Sequence, residues 1–250
     1  MSGHSKWHNI KIKKGKMDAQ RGRVFSQVTR EIIVAARQEG GNEVTNARLK
    51  KAIQKAREVN MPQDNIKKAI QRGTGELPGV TYEEYTYEGY GPGGTAIMLE
   101  VMTDNRQRTV ADIRHIFSRN NANLGESGCV SWMFKKRGLI IIEKETIDED
   151  TIITYALEAG ADDVKSLDST YEVETSPENL EGVKKFLTEN KVNLSSAEIT
   201  MVPQSTVKLE GKSATQVLKL MEALEEQDDV QNVYANFDIP DEAIEEVSAK

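Results

Sequence analysis

Cationic and aromatic side chains open this 250-residue sequence, and the chemistry they suit is the binding of an anionic polymer. In the stretch HSKWHNIKIKKGK, Lys6, Lys11, Lys13, Lys14 and Lys16 stand around Trp7 and His8. Lysines spaced in this way can follow irregularly placed phosphates and release their counterions, while flat rings among them can stack on unpaired bases. Arg21, Arg23 and Arg30 carry the charge onward, and Asp18 is the single acid among the first thirty residues. Lys50 and Lys51 extend it further. A solvated charge run, with Trp7 tucked onto neighbouring helices, is the bland alternative; the basic character of the segment that follows argues against it.

A second candidate is Thr103-Asp104-Asn105-Arg106-Gln107-Arg108-Thr109, which joins an expected strand to an expected helix. Free backbone N–H groups there, with Arg106 and Arg108, could converge on a phosphate. Simple capping by Asp104 or Asn105 with exposed arginines accounts for the same residues. The glycine-rich run Tyr87-Glu88-Gly89-Tyr90-Gly91-Pro92-Gly93-Gly94 precedes a strand and lacks Gly-Lys-Ser/Thr, so it is a turn-rich entry to a sheet and not a phosphate loop. Cys129 and His115 could form a nucleophile and base, but both fall in patterns that suit packing, and no motif joins them. His4, His8 and His115 lack metal-ligand spacing. No catalytic residue, metal ligand or cofactor is expected.

These residues sit in a chain whose charge is unevenly spread. The net charge is -7, yet residues 1–75 hold 17 Lys+Arg against 6 Asp+Glu, a net of +11, which leaves -18 for the rest. A basic end on an acidic body suits a nucleic-acid or membrane partner. No apolar run approaches the ~18 residues that a membrane span needs, and the Lys-rich start has no apolar signal core. The single cysteine excludes a disulfide framework. A cytoplasmic protein with no membrane partner is expected.

Periodicity sets out the elements. After an arm (1–16), Val24, Phe25, Val28, Ile32, Ala35 and Ala36 predict a helix over 18–38. Thr45 or Asn46 caps a second helix with Leu49, Ile53 and Ala56 inside. Pro62 opens a third, with Ile66, Ala69 and Ile70 inside and Gly73 as its stop. Beyond residue 75, strands are predicted at Thr95–Thr103, Cys129–Phe134, Leu139–Glu143, Tyr171–Thr175, Glu198–Val202 and Val233–Phe237, with Lys136-Arg137-Gly138 as a turn. Helices are predicted from Asp104 or Asn105 to Arg119, over 148–158, from Pro177 to Glu189, and over 214–226. The fold class is therefore α+β and multidomain: an N-terminal three-helix bundle followed by two ferredoxin-like α/β units, the second inserted in the first. The expected division is a basic arm (1–16), a helical domain (17–75), an α/β domain (76–137 with 204–240), an inserted α/β domain (138–203) and an acidic tail (241–250). A tandem order is the alternative.

Several segments resemble the YebC/PmpR family of bacterial regulators, related to the mitochondrial translational activator of cytochrome oxidase. They are Gly3-His4-Ser5-Lys6-Trp7 with Ile10-Lys11 and Lys13-Lys14, Asp18-Ala19-Gln20-Arg21-Gly22, Arg30-Glu31-Ile32 and Asn60-Met61-Pro62. Tyr87-Glu88-Gly89-Tyr90 with Pro92-Gly93-Gly94, Thr103-Asp104-Asn105-Arg106, and Leu124-Gly125 with Gly128-Cys129-Val130-Ser131 complete the set. The resemblance implies a three-domain cytoplasmic protein without enzymatic activity. It implies either a regulator that binds promoter DNA or a translation factor that works with ribosomal RNA on the ribosome, helping difficult sequences such as proline runs. Lys6, Trp7, Lys11, Lys13 and Lys14 match the family pattern as nucleic-acid contacts. Two rival classes remain at this point: an adaptor docking a protein through its acidic α/β units, and an enzyme acting at the 104–109 loop or through Cys129.

Overall fold

The apolar spacing of the first seventy-five residues builds three helices. The structure, a computed structural model, describes residues 17–167 and 169–239, with side chains from residue 22 onward. The expected arm (1–16) and acidic tail (241–250) lie outside the described residues. Helix α1 (Met17–Glu39) buries Val28, Ile32, Ala35 and Ala36, with Val24 and Phe25 at the margin of the same core. Helix α2 (Ala47–Glu58) is capped by Asn46, whose Oδ1 accepts from the Leu49 N–H at 2.8 Å. The Asn46 amide also donates to the carbonyls of Ala35 and Gly40, at 2.8 Å each, so one buried side chain closes both helix ends. A threonine has no second arm to do this.

Helix α3 (Gln63–Thr74) runs one residue past its expected stop. The terminator is Gly75, at φ 84°. Gly73 stays helical for a different reason: a Cβ there would lie 2.6 Å from the Ile33 carbonyl oxygen and 2.7 Å from the Ala36 Cβ. Its missing side chain is what lets α3 lie against α1.

The described chain divides into two compact units. One, residues 17–130 with 209–233, joins the three helices to a four-stranded sheet. That sheet holds β1 (Glu83–Tyr90), β2 (Ala96–Thr103), β3 (Asn123–Leu124) and β9 (Val230–Ala235), in the order β3-β1-β2-β9. Helices α4 (Arg106–Arg119) and α7 (Gly211–Glu225) pack together beside it, burying Ile113, Phe117, Leu220 and Leu224. Strand β1 was not expected. Its Gly89 accommodates a crowded neighbour, because a Cβ there would meet the Asn123 carbonyl oxygen at 2.5 Å and the Phe117 ring at 2.6 Å.

The strand expected over Cys129–Phe134 does not form. The buried carboxylate of Glu88 accepts from the Gly128 and Val130 N–H groups, at 2.7 Å each, taking donors that a ladder would use. A short turn (Ser131–Met133) follows.

The other unit, residues 131–208 with 234–238, has the predicted β-α-β-β-α-β order. Its elements are β4 (Phe134–Glu143), α5 (Glu149–Glu158), β5 (Asp163–Ser166), β6 (Thr170–Thr175), α6 (Leu180–Glu189) and β7 (Ser196–Pro203). The strands lie antiparallel in the order β5-β6-β4-β7, and Ile140, Ile142, Ile152, Val173, Val183 and Leu187 form the core. Strand β4 runs straight through the turn expected at Lys136-Arg137-Gly138, because β7 pairs with it from Phe134 to Ile141. The strand expected over Val233–Phe237 divides instead. β9 ends at Ala235, and β10 (Phe237–Asp238) pairs in parallel with β8 (Val207–Lys208). Because β9 completes the sheet begun by β1–β3, the ferredoxin-like unit is an insertion in the first. Among the described residues no helix is long and apolar enough to cross a membrane.

Candidate nucleic-acid interface

The lysines of α2 and α3 follow from narrow apolar stripes. On α2 the buried set is Leu49, Ala52, Ile53 and Ala56, which leaves Lys50, Lys51 and Lys55 exposed. On α3 only Ile66 and Ala69 are fully buried, and Lys67, Lys68 and Arg72 are exposed. Among the described residues none of these five lysines forms an ion pair. Arg57, by contrast, is drawn to Glu43 at 3.2 Å. Ammonium groups in this setting are strongly hydrated point charges, able to meet phosphate without first losing a carboxylate.

The arginines are placed differently. Arg30 turns inward: its Nη2 lies 3.2 Å from Asp229 Oδ1, it donates to the Asp228 carbonyl, and its guanidinium sits 5.4 Å over the Tyr82 ring. Gln27 reinforces this junction by donating to the Val230 carbonyl at 2.7 Å. Arg23 is half-buried, and its Nε has no hydrogen-bond partner among the described residues. Arg21 lies on α1 with its side chain outside the described residues, as Lys6, Trp7, His8, Lys11, Lys13, Lys14 and Lys16 lie wholly outside them.

The 103–109 loop attracts an anion, and the protein itself supplies it. Asp229, 2% exposed, accepts from the Thr109 hydroxyl at 2.6 Å, the Arg108 guanidinium at 2.9 Å and the Thr103 hydroxyl at 3.3 Å. Asp104 takes Arg108 on its other side at 2.8 Å, and Asn105 caps α4 by accepting from the Arg108 N–H at 3.1 Å. Burial pushes the Asp229 carboxyl upward, but the hydrogen bonds from Thr109 and Arg108 and the charge of Arg30 outweigh it, so its pKa ends lowered. Hydrogen bonds to Asp229 and Asp104 raise Arg108 in turn. The phosphate envisaged at Arg108 is therefore displaced by an internal carboxylate. Arg106 is exposed and lies 4.8 Å over the Tyr85 ring.

Sequence reasoning missed a third cluster. Arg48 donates to Glu31 at 2.7 Å and 3.1 Å, to Glu84 at 2.6 Å and 3.0 Å, and to the Gln38 side-chain oxygen at 2.8 Å. It links α1, α2 and β1. The Arg48 hydrogen bond holds the Glu84 carboxyl below the usual carboxylate range, and its two carboxylate partners raise Arg48. The signal was a lone arginine at the start of a helix, where cations are disfavoured by the helix dipole.

The Tyr87–Tyr90 and Leu124–Ser131 motifs meet each other. Besides the Glu88 carboxylate bonds, the Gly125 N–H donates to the Glu88 carbonyl at 2.8 Å, and the Tyr90 hydroxyl donates to the Cys129 carbonyl at 3.0 Å. Burial, then the Glu88 charge, pushes the Cys129 thiol up, which disfavours the thiolate a nucleophile needs. His115 is exposed on α4 and not packed as expected. Among the described residues no group of three or more His, Cys, Asp or Glu could hold a metal ion.

Comparison with known proteins finds relatives over nearly the whole chain. Residues 5–76 match the model of the TACO1/YebC protein N-terminal domain, and residues 82–237 match that of the TACO1/YebC second and third domain. A probable transcriptional regulatory protein of Dictyoglomus turgidum is 59% identical over 249 residues, covering 99% of this chain and 100% of its own length. One of the same description from Pelotomaculum thermopropionicum is 58% identical, covering 96% of this chain and 100% of its own. The crystal structure of a conserved hypothetical protein from Aquifex aeolicus superposes with a TM-score of 0.77 at 47% identity, over 90% of this chain and 93% of that one.

Proposed function

The chain belongs to the TACO1/YebC family, and from that premise we propose that it is a non-enzymatic, nucleic-acid-binding regulator of gene expression. Its helical domain and basic arm hold phosphates, and the two α/β domains set placement. The observation that carries this reading is the division of labour among cations in the helical domain. Lys50, Lys51, Lys55, Lys67 and Lys68 are exposed and form no ion pair among the described residues, while Arg30 and Arg48 hold the fold together. The acidic remainder repels nonspecific nucleic acid and confines contact to one end. The relatives named probable transcriptional regulatory proteins favour promoter DNA as the target. The Lys-rich arm with its tryptophan suits single-stranded or ribosomal RNA equally well, and a ribosome-associated role in translation rests on that feature. In this proposal the working parts are the arm (1–16), the helical domain (17–75), the split α/β domain (76–137 with 204–240) and the inserted one (138–203).

The test is the salt dependence of binding, with duplex DNA and single-stranded RNA as parallel probes. Changing Lys50, Lys51 and Lys55 together to Gln is expected to reduce the log–log salt slope by about 2 to 3 on duplex DNA, and by about 2 on single strands, if each lysine meets one phosphate. Stability should move by only a few tenths of a kcal/mol, as for other surface substitutions. An unchanged slope on both probes would remove the helical domain from the interface.

A further inference from the structure

One strand edge of the inserted unit is open, and the backbone hydrogen bonds show which groups it presents. β7 is the outermost strand of its sheet, and among the described residues no strand pairs with its far side. The Gln204 N–H donates to the Met133 carbonyl at 2.8 Å, and across β4 the Lys144 N–H donates to the Ser169 carbonyl at 3.0 Å. Odd-numbered residues of β4 therefore turn their backbone groups to β7 and even-numbered ones to β6. The register, from Phe134 with Pro203 to Ile141 with Ser196, makes the even-numbered residues of β7 answer β4. The N–H and C=O groups of Ala197, Ile199 and Met201 point the other way, out of the sheet, and have no hydrogen-bond partner among the described residues.

Two other sheet edges are guarded. β5, at the far side of the same sheet, has four residues and carries Asp163 and Lys165. On β9 the Gln27 side-chain amide, from α1, donates to the Val230 carbonyl at 2.7 Å. Short length, charge and a covering helix are the usual protections against strand addition. β7 has none of the three in full: it is eight residues long, Glu198 is its one charge, and its proline, Pro203, stands at the last position. Ala197 and Ile199 lie half-buried against the core beneath the helices, and Met201 is half-buried on the same face. Such an edge accepts another strand.

The sequence of β7 fits a copy of itself. In an antiparallel pair centred on Ile199, Ala197 meets Met201 of the second copy, Ile199 meets Ile199, and the outward groups supply about six hydrogen bonds. Glu198 then stands opposite Thr200, and Pro203, which has no N–H to give, lies beyond the hydrogen-bonded residues. A centre at Glu198 would set two carboxylates face to face, and a centre at Thr200 would set Glu198 against Val202 and bring Pro203 into the ladder. We propose that a second copy of this chain occupies the β7 edge, so that two inserted units share one antiparallel sheet, four strands from each. A two-fold axis lets each copy satisfy the other's edge and leaves none for a third. An edge of this length buries less than the roughly 1,200 Å² at which stable interfaces begin, so the pair is weak and forms as concentration rises. The inference goes beyond the nucleic-acid reading and does not depend on it.

The experiment uses the full chain. Sedimentation equilibrium between about 5 and 500 μM is expected to show a monomer passing into a dimer. Met201→Lys puts an ammonium group on the edge and is expected to weaken pairing about 10-fold or more, whereas Ser166→Lys, on the guarded edge, leaves it unchanged. In a Cys129→Ser background, Ile199→Cys carries the single thiol. Its Cα atoms would lie about 5.5 Å apart across the axis, so oxidation should join two copies by a disulfide. Ser196→Cys, set about 20 Å from its own counterpart, should stay unlinked. A labelled peptide of residues 195–204 is expected to bind the monomer, and a scrambled version is not. A monomer over the whole range, or a dimer that survives Met201→Lys and stays unlinked in Ile199→Cys, overturns the proposal. Equal binding of the scrambled peptide would also overturn it, by making the edge a site for extended segments of other proteins. None of these readouts involves nucleic acid, so failure here leaves the salt-slope test of the helical domain untouched.

Discussion

Helix α1 and the α2–α3 pair bear the same sign of charge and use it in opposite ways. On α1, Arg30 reaches across to Asp229 and Tyr82 on the α/β part of its own unit. On α2 and α3, Lys50, Lys51, Lys55, Lys67 and Lys68 face solvent. The residue types fit the tasks. A guanidinium presents a planar fork that two carboxylates or a carbonyl and a carboxylate can share, whereas an ammonium on a flexible stem suits a phosphate whose position varies. Arg48 is the exception on α2 that fits the rule: it sits where α1, α2 and β1 converge, and three side chains share its fork. Net charge by segment therefore overstates the charge presented to solvent, since part of the +11 is neutralised inside the fold.

The contrast breaks first at Asp229. Asp229→Ala leaves Arg30 and Arg108 without their shared partner, and breaking a buried pair of this kind costs about 3 to 5 kcal/mol. Urea unfolding followed by circular dichroism measures it; a cost under about 1 kcal/mol would mean that α1's arginine is no more structural than the lysines. Next in size is Gly73→Ala, whose methyl would press on the Ile33 carbonyl and Ala36 and is expected to cost about 1 to 3 kcal/mol by overpacking. A neutral result there would show that α1 and α3 part easily. The smallest effect belongs to Glu84→Gln. Glu84 is partly exposed, so its link to Arg48 is worth about 1 kcal/mol or less. The lowered pKa of Glu84 fixes the sign: its contribution is full above the unfolded value near 4.3 and fades as pH falls through the lower folded value. The stability gap between wild type and Glu84→Gln should therefore close between about pH 4 and the acid limit, and a constant gap would assign the effect to lost packing.

Local signals in the sequence were enough for the helices and for some of their ends. Asn105 and Asp148 cap α4 and α5 as side chains of their type do, and the 3.6-residue spacing placed α1–α3 and the two helices of the inserted unit, while its strand β5 was not placed. What escaped depended on distant partners. Gly73 has the composition of a helix stop, and only the approach of Ile33 and Ala36 makes it a packing residue. Cys129–Phe134 has the composition of a strand, but the Glu88 carboxylate, some forty residues earlier, claims its N–H groups. Lys136-Arg137-Gly138 has turn chemistry that pairing with β7 overrides. At the candidate site the exposed Lys50 and Lys51 were legible because helical spacing alone puts them outside. The fates of Arg30 and Arg108 were not, since their carboxylate lies 199 and 121 residues further on.

That separation orders events during synthesis. Arg30 and Thr109 leave the ribosome long before Asp229 does, and at about 5 to 20 residues per second the last of the partners of Arg30 is made roughly 10 to 40 s after it. Strand β9, which Asp229 immediately precedes, arrives at the same late moment to close its sheet. Meanwhile β4 to β7 emerge as one uninterrupted stretch that needs no later strand for its four-stranded sheet. The four-stranded sheet of the inserted unit can thus be complete while the unit interrupted by it still waits for its clasp, so the helical head is locked to its sheet among the final steps of making the molecule.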